Sequence, residues 1–268
     1  MQQERPFVDI HCHLVPGIDD GAKTWDDTLA MARMAVEDGT RTIIVTPHQL
    51  GNFSHNDGDL IRQRTAQVQQ VLNDHKIPLQ VLPGGDVRIE DGMVRKIGEG
   101  SVMSLGDHRL HVLLELPHEL YFPIEPVLAK LETAGMQGIL SHPERNAGIL
   151  TNPGLLPGLV DQGCLMQVTC GSLVGTFGPA SQRLAESMLN DGLVHFLASD
   201  GHSPKSRRPR MGRAYRRATE LAGSAIADEI CCHNPALVAA GRYVEPGRRQ
   251  VAQPRGLSRW FGGRRKAA

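Results

Sequence analysis

In the stretch FVDIHCHLVPGIDDG, an apolar run ends in His11 and His13, one residue apart, and two adjacent aspartates, Asp19 and Asp20, follow in a glycine turn. On an extended chain alternate side chains share a face, so both imidazoles can reach one ion while Cys12 turns away into the packing. Ligand-type residues recur at the ends of later apolar runs: His48 in IIVTPH, Asp86 in VLPGGD, Glu115 in HVLLEL, His142 after GILS, and Asp200 and His202 after FLAS. Any one of them reads as an ordinary loop or core residue; the whole set, spread over six strand ends, does not. Imidazole and carboxylate ligands suit manganese, iron or zinc better than an all-oxygen magnesium or calcium site. The set is too large for one ion and points to two or three, about 3.5–4 Å apart where a ligand bridges them.

These residues need a frame that brings distant parts of the chain together. Seven apolar runs (PFVDI, RTIIVT, IPLQVL, LHVLLEL, QGILS, CLMQVT and LVHFLAS) alternate with helix-like stretches. The runs are continuous in hydrophobicity, as in parallel strands covered on both faces. The stretches between them carry helical spacing, Asp-rich starts and glycine stops. The pattern predicts an α/β fold, a seven-stranded (β/α)7 barrel resembling the TIM barrel, in which all strand C-termini face one rim. The run ending near Thr169 contributes no obvious ligand, and His195, inside an apolar run, reads as packed.

The chain has 268 residues and zero net charge. That length suits one large domain, taken here as residues 1–241. From Arg242 onward there are eight Lys/Arg and one Glu, leaving the body at a net of −7. A mildly acidic body argues against a nucleic-acid-binding core. No apolar segment is long enough to span a bilayer. The N-terminus lacks a basic-then-apolar signal peptide, and five cysteines without a CxxC pair read as reduced thiols in a cytoplasmic protein.

The motifs DIHCH, DDG, TPH, GGD, LLEL, SHPER and SDGH, in this order, resemble the PHP (polymerase and histidinol phosphatase) superfamily. Within it they are most similar to the CpsB-type manganese-dependent protein-tyrosine phosphatases of bacterial capsule and exopolysaccharide clusters, over roughly residues 7–240. The resemblance implies a distorted seven-stranded PHP barrel with three metals. By motif position His11, His13, Asp86 and Asp200 would hold one ion, Asp86, Glu115 and His142 a second, and Asp20, His48 and His202 a third. The family usually carries Glu where Asp86 stands; Glu90 and Asp91 are nearby substitutes, less favoured because they fall beyond the strand end. Asp19 would shape the turn. Arg145 and Arg207 match the phosphate-binding positions, with Arg208 one residue from the second.

The implied activity is hydrolysis of phosphotyrosine without a covalent enzyme intermediate. The implied partner is a membrane-bound bacterial tyrosine autokinase controlling polysaccharide synthesis. The resemblance is compatible with a homo-oligomer. A cysteine-dependent tyrosine phosphatase needs Arg six positions after its Cys, and here those positions hold Ile18, Cys170, Thr176, Leu237 and Val238. Rival readings are a histidinol phosphatase, another PHP phosphoesterase, and a non-catalytic metal-stabilised binding subunit. Residues 242–268 read as a basic, poorly ordered tail. In it Leu257, Trp260 and Phe261 among basic residues offer a peripheral contact to anionic lipid.

Overall fold

The computed structural model describes residues 6–250. It contains nine strands: β1 (Phe7–Cys12), β2 (Thr40–Val45), β3 (His48–Gln49), β4 (Gln80–Leu82), β5 (Asp86–Arg88), β6 (His111–Glu115), β7 (Gln137–Ser141), β8 (Leu165–Thr169) and β9 (Phe196–Ala198). All ladders are parallel. Each of the seven predicted runs carries a strand, but two runs are broken, and the pairing gives two sheets where one seven-stranded sheet was expected. The sheets run β1-β2-β4 and β3-β5-β6-β7-β8-β9.

The breaks have a local cause. Pro47 separates β2 from β3, and proline has no N–H to give a ladder. Pro83, Gly84 and Gly85 separate β4 from β5. Both breaks fall between the same two runs. The offset of 38 positions in Thr42↔Gln80 is kept in His48↔Asp86, so the second run resumes its register past the gap. β1 also meets the chain beyond β9: Asp200 N–H donates to His11 O at 2.8 Å, and His13 N–H donates to Gly201 O at 2.8 Å.

Both sheets feed one interior cluster. Val8 and Ile10 of β1, Ile44 of β2, Leu113 of β6, Ile139 of β7, Leu165 of β8 and Phe196 and Ala198 of β9 pack together with Leu105, Val238 and Val244. Two residues further along the same faces stand Glu115, Gln167 and Asp200, because side chains repeat every second residue on an extended chain. The apolar interior is therefore the floor of a polar rim. Cys12 packs on the opposite side, with Leu14, Met31 and Val45.

Helices cover the outer faces, and their starts follow from sequence. Trp25–Glu37 opens with a capping box, in which Thr24 accepts from Asp27 N–H and the Asp27 carboxylate accepts from Thr24 N–H. Gly58–Asp74 is capped by Asp57, which accepts from Leu60 N–H. Further helices include Glu125–Thr133, Leu155–Asp161, Pro179–Asn190 and Gly212–Ala222. Among the described residues no helix is long and apolar enough to cross a membrane.

The segment expected to leave the body at residue 242 runs along it as far as residue 250. Val244 is buried, and its backbone N–H and C=O both bond the Gln137 side chain. Arg249 N–H donates to Gly192 O at 2.7 Å, and Arg248 pairs with Asp161. Arginine stems and partners on the body hold this stretch despite its composition. Leu257, Trp260 and Phe261 lie outside the described residues.

Candidate metal and phosphate site

At the rim, all nine ligand-type residues lie in overlapping groups whose donor atoms fall within 4.8 Å of one another: His13, Asp20, His48 and His202; His11, His142 and Asp200; His11, His13 and Asp86; His48, Asp86 and Glu115. The grouping differs from the family partition at several points; His13, for one, also joins Asp20, His48 and His202. His142 sits with His11 and Asp200, its ring 5.6 Å from that of His11, because its backbone takes a left-handed turn at φ 33°. His48 joins both Asp20 and the Asp86–Glu115 pair, since its two ring nitrogens reach opposite ways: Nε2 to Asp20 at 3.3 Å, Nδ1 to Asp86 at 3.2 Å and Glu115 at 3.3 Å.

Two histidines are aimed by partners. Asp19 accepts from His13 Nδ1 at 2.7 Å, and Gln167 Oε1 accepts from His11 Nδ1 at 2.9 Å. With the Nδ1 atoms so occupied, both Nε2 atoms point inward and lie 3.2 Å apart. A carboxylate or carbonyl behind an imidazole fixes its tautomer and raises its basicity as a ligand. Asp19 also accepts from the backbone of Gly21 and His48, tying the turn after β1 to β3. Asn56 adds a second tie, donating to Ile18 O and His48 O.

The electrostatics of the set are mixed: burial works against charge on His11 and His48, yet Asp200 and Asp86 raise His11 to about 9, and Asp20 and Asp86 push His48 up. Burial pushes Asp86 up, but His11 and His48 outweigh it and hold the carboxyl well below its usual range. Burial likewise works against Asp200, which His11 and Arg207 keep ionised. Burial and the neighbouring Asp86 raise Glu115. Burial and His202 lower His13 to about 4, and burial with Arg145 lowers His142 well below normal, so both rings are neutral and able to ligate. Buried atoms without a hydrogen bond concentrate here: both carboxylate oxygens of Asp86, Asp200 Oδ1, His48 Nδ1 and His202 Nε2. Buried polar atoms are ordinarily satisfied. A cluster of unsatisfied N and O donors is the arrangement divalent cations complete.

Asp86 belongs to two of the groups, one with His11 and His13 and one with His48 and Glu115. Glu90 is engaged elsewhere, by Lys96 Nζ at 3.0 Å and by Gly51 N–H at 3.2 Å, and neither it nor Asp91 enters a group. Arg145 and Arg207 both converge on Asp200. The Phe177 ring backs both, 4.2 Å from Arg145 Cζ and 5.8 Å from Arg207 Cζ. Arg208 is exposed and donates to Pro204 O. His142, Asp200 and Arg207 all have positive φ without being glycine. Such residues cost energy and collect where geometry serves a site.

Sequence reasoning underrated three residues. Asp19 was read as a turn former, although an acid six positions from a histidine ligand could have flagged it. Gln167 lies on the run that offered no ligand; its signal was one amide inside the apolar LMQVT. Phe177 had no signal, because its role exists only where its loop meets two arginines.

The chain is 38% identical over 203 residues to the tyrosine-protein phosphatase YwqE of Bacillus subtilis, covering 75% of this chain and 79% of that one. It is 26% identical over 234 residues to the tyrosine-protein phosphatase CpsB of Streptococcus pneumoniae, covering 85% and 96%. A crystal structure from a study of YwqE and CpsB as metal-dependent tyrosine phosphatases superposes with a TM-score of 0.86 at 33% identity, over 92% of this chain and 100% of that one. The family described as capsular polysaccharide synthesis, CpsB/CapC, matches residues 7–240, and the chain belongs to it.

Proposed function

We propose that this protein is a metal-dependent phosphatase that hydrolyses phosphotyrosine in proteins. The observation that carries the reading is the cluster of unpartnered buried donors beside two arginines aimed at the same carboxylate. The residues fit divalent cations: His11, His13, Asp20, His48, Asp86, Glu115, His142, Asp200 and His202 would hold two or three; mixed imidazole and carboxylate ligands suit manganese, iron or zinc, and the family resemblance favours manganese. Such ions supply Lewis acidity toward phosphoryl oxygens and a nucleophilic water at neutral pH.

The chain supplies the rest. Arg145 and Arg207 offer planar forks of donors to the phosphate oxygens and offset charge gathering there during displacement. Asp200 and Phe177 hold the two guanidinia in place. A tyrosine leaving group departs as a phenolate of pKa near 10, which needs less protonation than a serine alkoxide. The two sheets read as one distorted seven-stranded barrel, supported by their shared interior cluster and by the bonds from β1 to residues 200 and 201. A cytoplasmic location and a tyrosine kinase of polysaccharide synthesis as substrate fit the relatives' names and the five free, buried cysteines.

The test is phosphate release from a phosphotyrosine peptide, a phosphoserine peptide, histidinol phosphate and single-stranded DNA. Each is measured before chelation, after it, and after return of manganese. Selective, manganese-restored turnover of the phosphotyrosine peptide is expected. Turnover indifferent to chelation would refute the reading.

A further inference from the structure

Phe177 and Arg207 also line a cavity of about 440 Å³. Its wall carries five cationic side chains: Lys205, Arg207, Arg208, Arg210 and Arg213. Four of them, all but Arg207, are exposed and make no ion pair among the described residues. Arg62, Arg95, Lys96, Arg217 and Arg248 elsewhere on the surface each face a carboxylate. Other exposed cations also lack an ion pair among the described residues, Arg33, Lys76, Arg183 and Arg216 included, but here four such side chains line one cavity.

The cations stand on a firm base. Pro209 is buried against Gly201, where an added Cβ would meet it at 2.8 Å. Asp38 accepts from the backbone N–H groups of Met211 and Gly212 at 2.6 and 2.7 Å, pinning the turn that presents Arg210 and Arg213. The start of the helix is therefore already occupied by a carboxylate, and what remains free is the side-chain charge. Arg207 joins the two regions: it reaches Asp200 at the rim and also lines the cavity.

We propose that this cavity is a docking subsite for anionic groups flanking the phosphotyrosine in the substrate polypeptide. The inference rests on the phosphatase reading and adds a substrate preference to it. With the phosphotyrosine at Arg145 and Arg207, neighbouring residues of an extended peptide pass over Phe177 and meet the free cations. Carboxylates of Asp or Glu and a second phosphate present the same chemistry to guanidinium groups.

Three phosphotyrosine peptides distinguish the sources: one with neutral flanks, one with glutamates, one with a second phosphotyrosine. Exposed charge pairs are individually modest and salt-sensitive, so a preference of about three- to tenfold in kcat/KM over the neutral peptide is expected at low salt. That ratio should fall to near one in R210A/R213A and invert for the glutamate peptide in R210E/R213E. The larger ratio identifies the anion preferred. A ratio of one in the unaltered enzyme, or one that survives both double variants, would overturn the proposal. So would a double variant that loses binding to phosphatidylserine vesicles while its peptide ratios stay put, which would assign the cavity to lipid. Failure to turn over p-nitrophenyl phosphate with manganese would instead refute the phosphatase reading, and this inference with it.

Discussion

Arg145 and Arg207, which reach the rim from the turns after β7 and β9, donate to the same oxygen of Asp200, Oδ2. One buried carboxylate therefore sets the positions of both forks. Asp200 Oδ1 is left without a hydrogen bond and faces the imidazoles, 3.4 Å from His11 Nε2. A single residue thus joins the cationic and the ligand halves of the rim.

Replacing either arginine by alanine should lower kcat/KM for an aryl phosphate by about 100-fold, the scale seen when one preorganised donor to a charged transition state is lost. Lysine should recover little, because an ammonium cannot reproduce the fork. Steady-state kinetics of Arg145→Ala, Arg145→Lys, Arg207→Ala and Arg207→Lys with manganese present checks this.

Asp19 bonds His13 Nδ1 but enters none of the ligand groups. Asp19→Ala should weaken manganese binding by about 10- to 100-fold, the usual effect of losing a carboxylate behind a ligating imidazole. Calorimetric titration of metal into the variant reads this directly. Unchanged affinity would show that His13 is aimed by packing alone.

Phe177 stacks beneath both guanidinia. Removing the ring in Phe177→Ala forfeits a cation–π contact of roughly 0.5–2 kcal/mol and frees Arg145 to move. KM should rise about 3- to 30-fold, whereas Phe177→Tyr should stay near the parent. Equal KM values for all three proteins would refute the role.

His195 Nδ1 accepts from Met166 N–H, so its proton sits on Nε2 and is given to Gly247 O at 3.0 Å. A second proton would face a backbone donor. Burial and Arg249 lower this histidine from 6.5 to about 3, and burial lowers His111 from 6.5 to about 4. Both are neutral in the fold and gain protons on unfolding, so the unfolded chain binds more protons below pH 6.5. Stability should be full above that pH and fall as pH drops toward 3. Thermal melts at pH 7.5, 5.5 and 4.5 should show this decline. A variant lacking both imidazoles should flatten it.

Much of the fold was legible because parallel strands buried on both faces leave continuous apolar runs, and each of those runs became a strand. The nine ligand-type residues were legible for a related reason: polar side chains at the ends of such runs have nowhere to go but a common rim. The split of the sheet at Pro47 and at Pro83–Gly85 was visible as residues, but not as a change in pairing, since register past a break depends on the neighbouring strand. Asp19 and Gln167 act through other residues, so type and spacing alone understated them. The hold on residues 242–250 escaped because it comes from Gln137, Gly192 and Asp161, far away in sequence. The composition of the segment itself gives no hint of it.

The backbone bonds from His11 and His13 to residues 200 and 201 join stretches almost 190 positions apart. A ribosome-bound fragment that stops short of Asp200 cannot own a working centre, however well its earlier strands have folded. Catalytic competence should therefore arrive only once residues 200 and 201 have joined the stretch that carries His11 and His13.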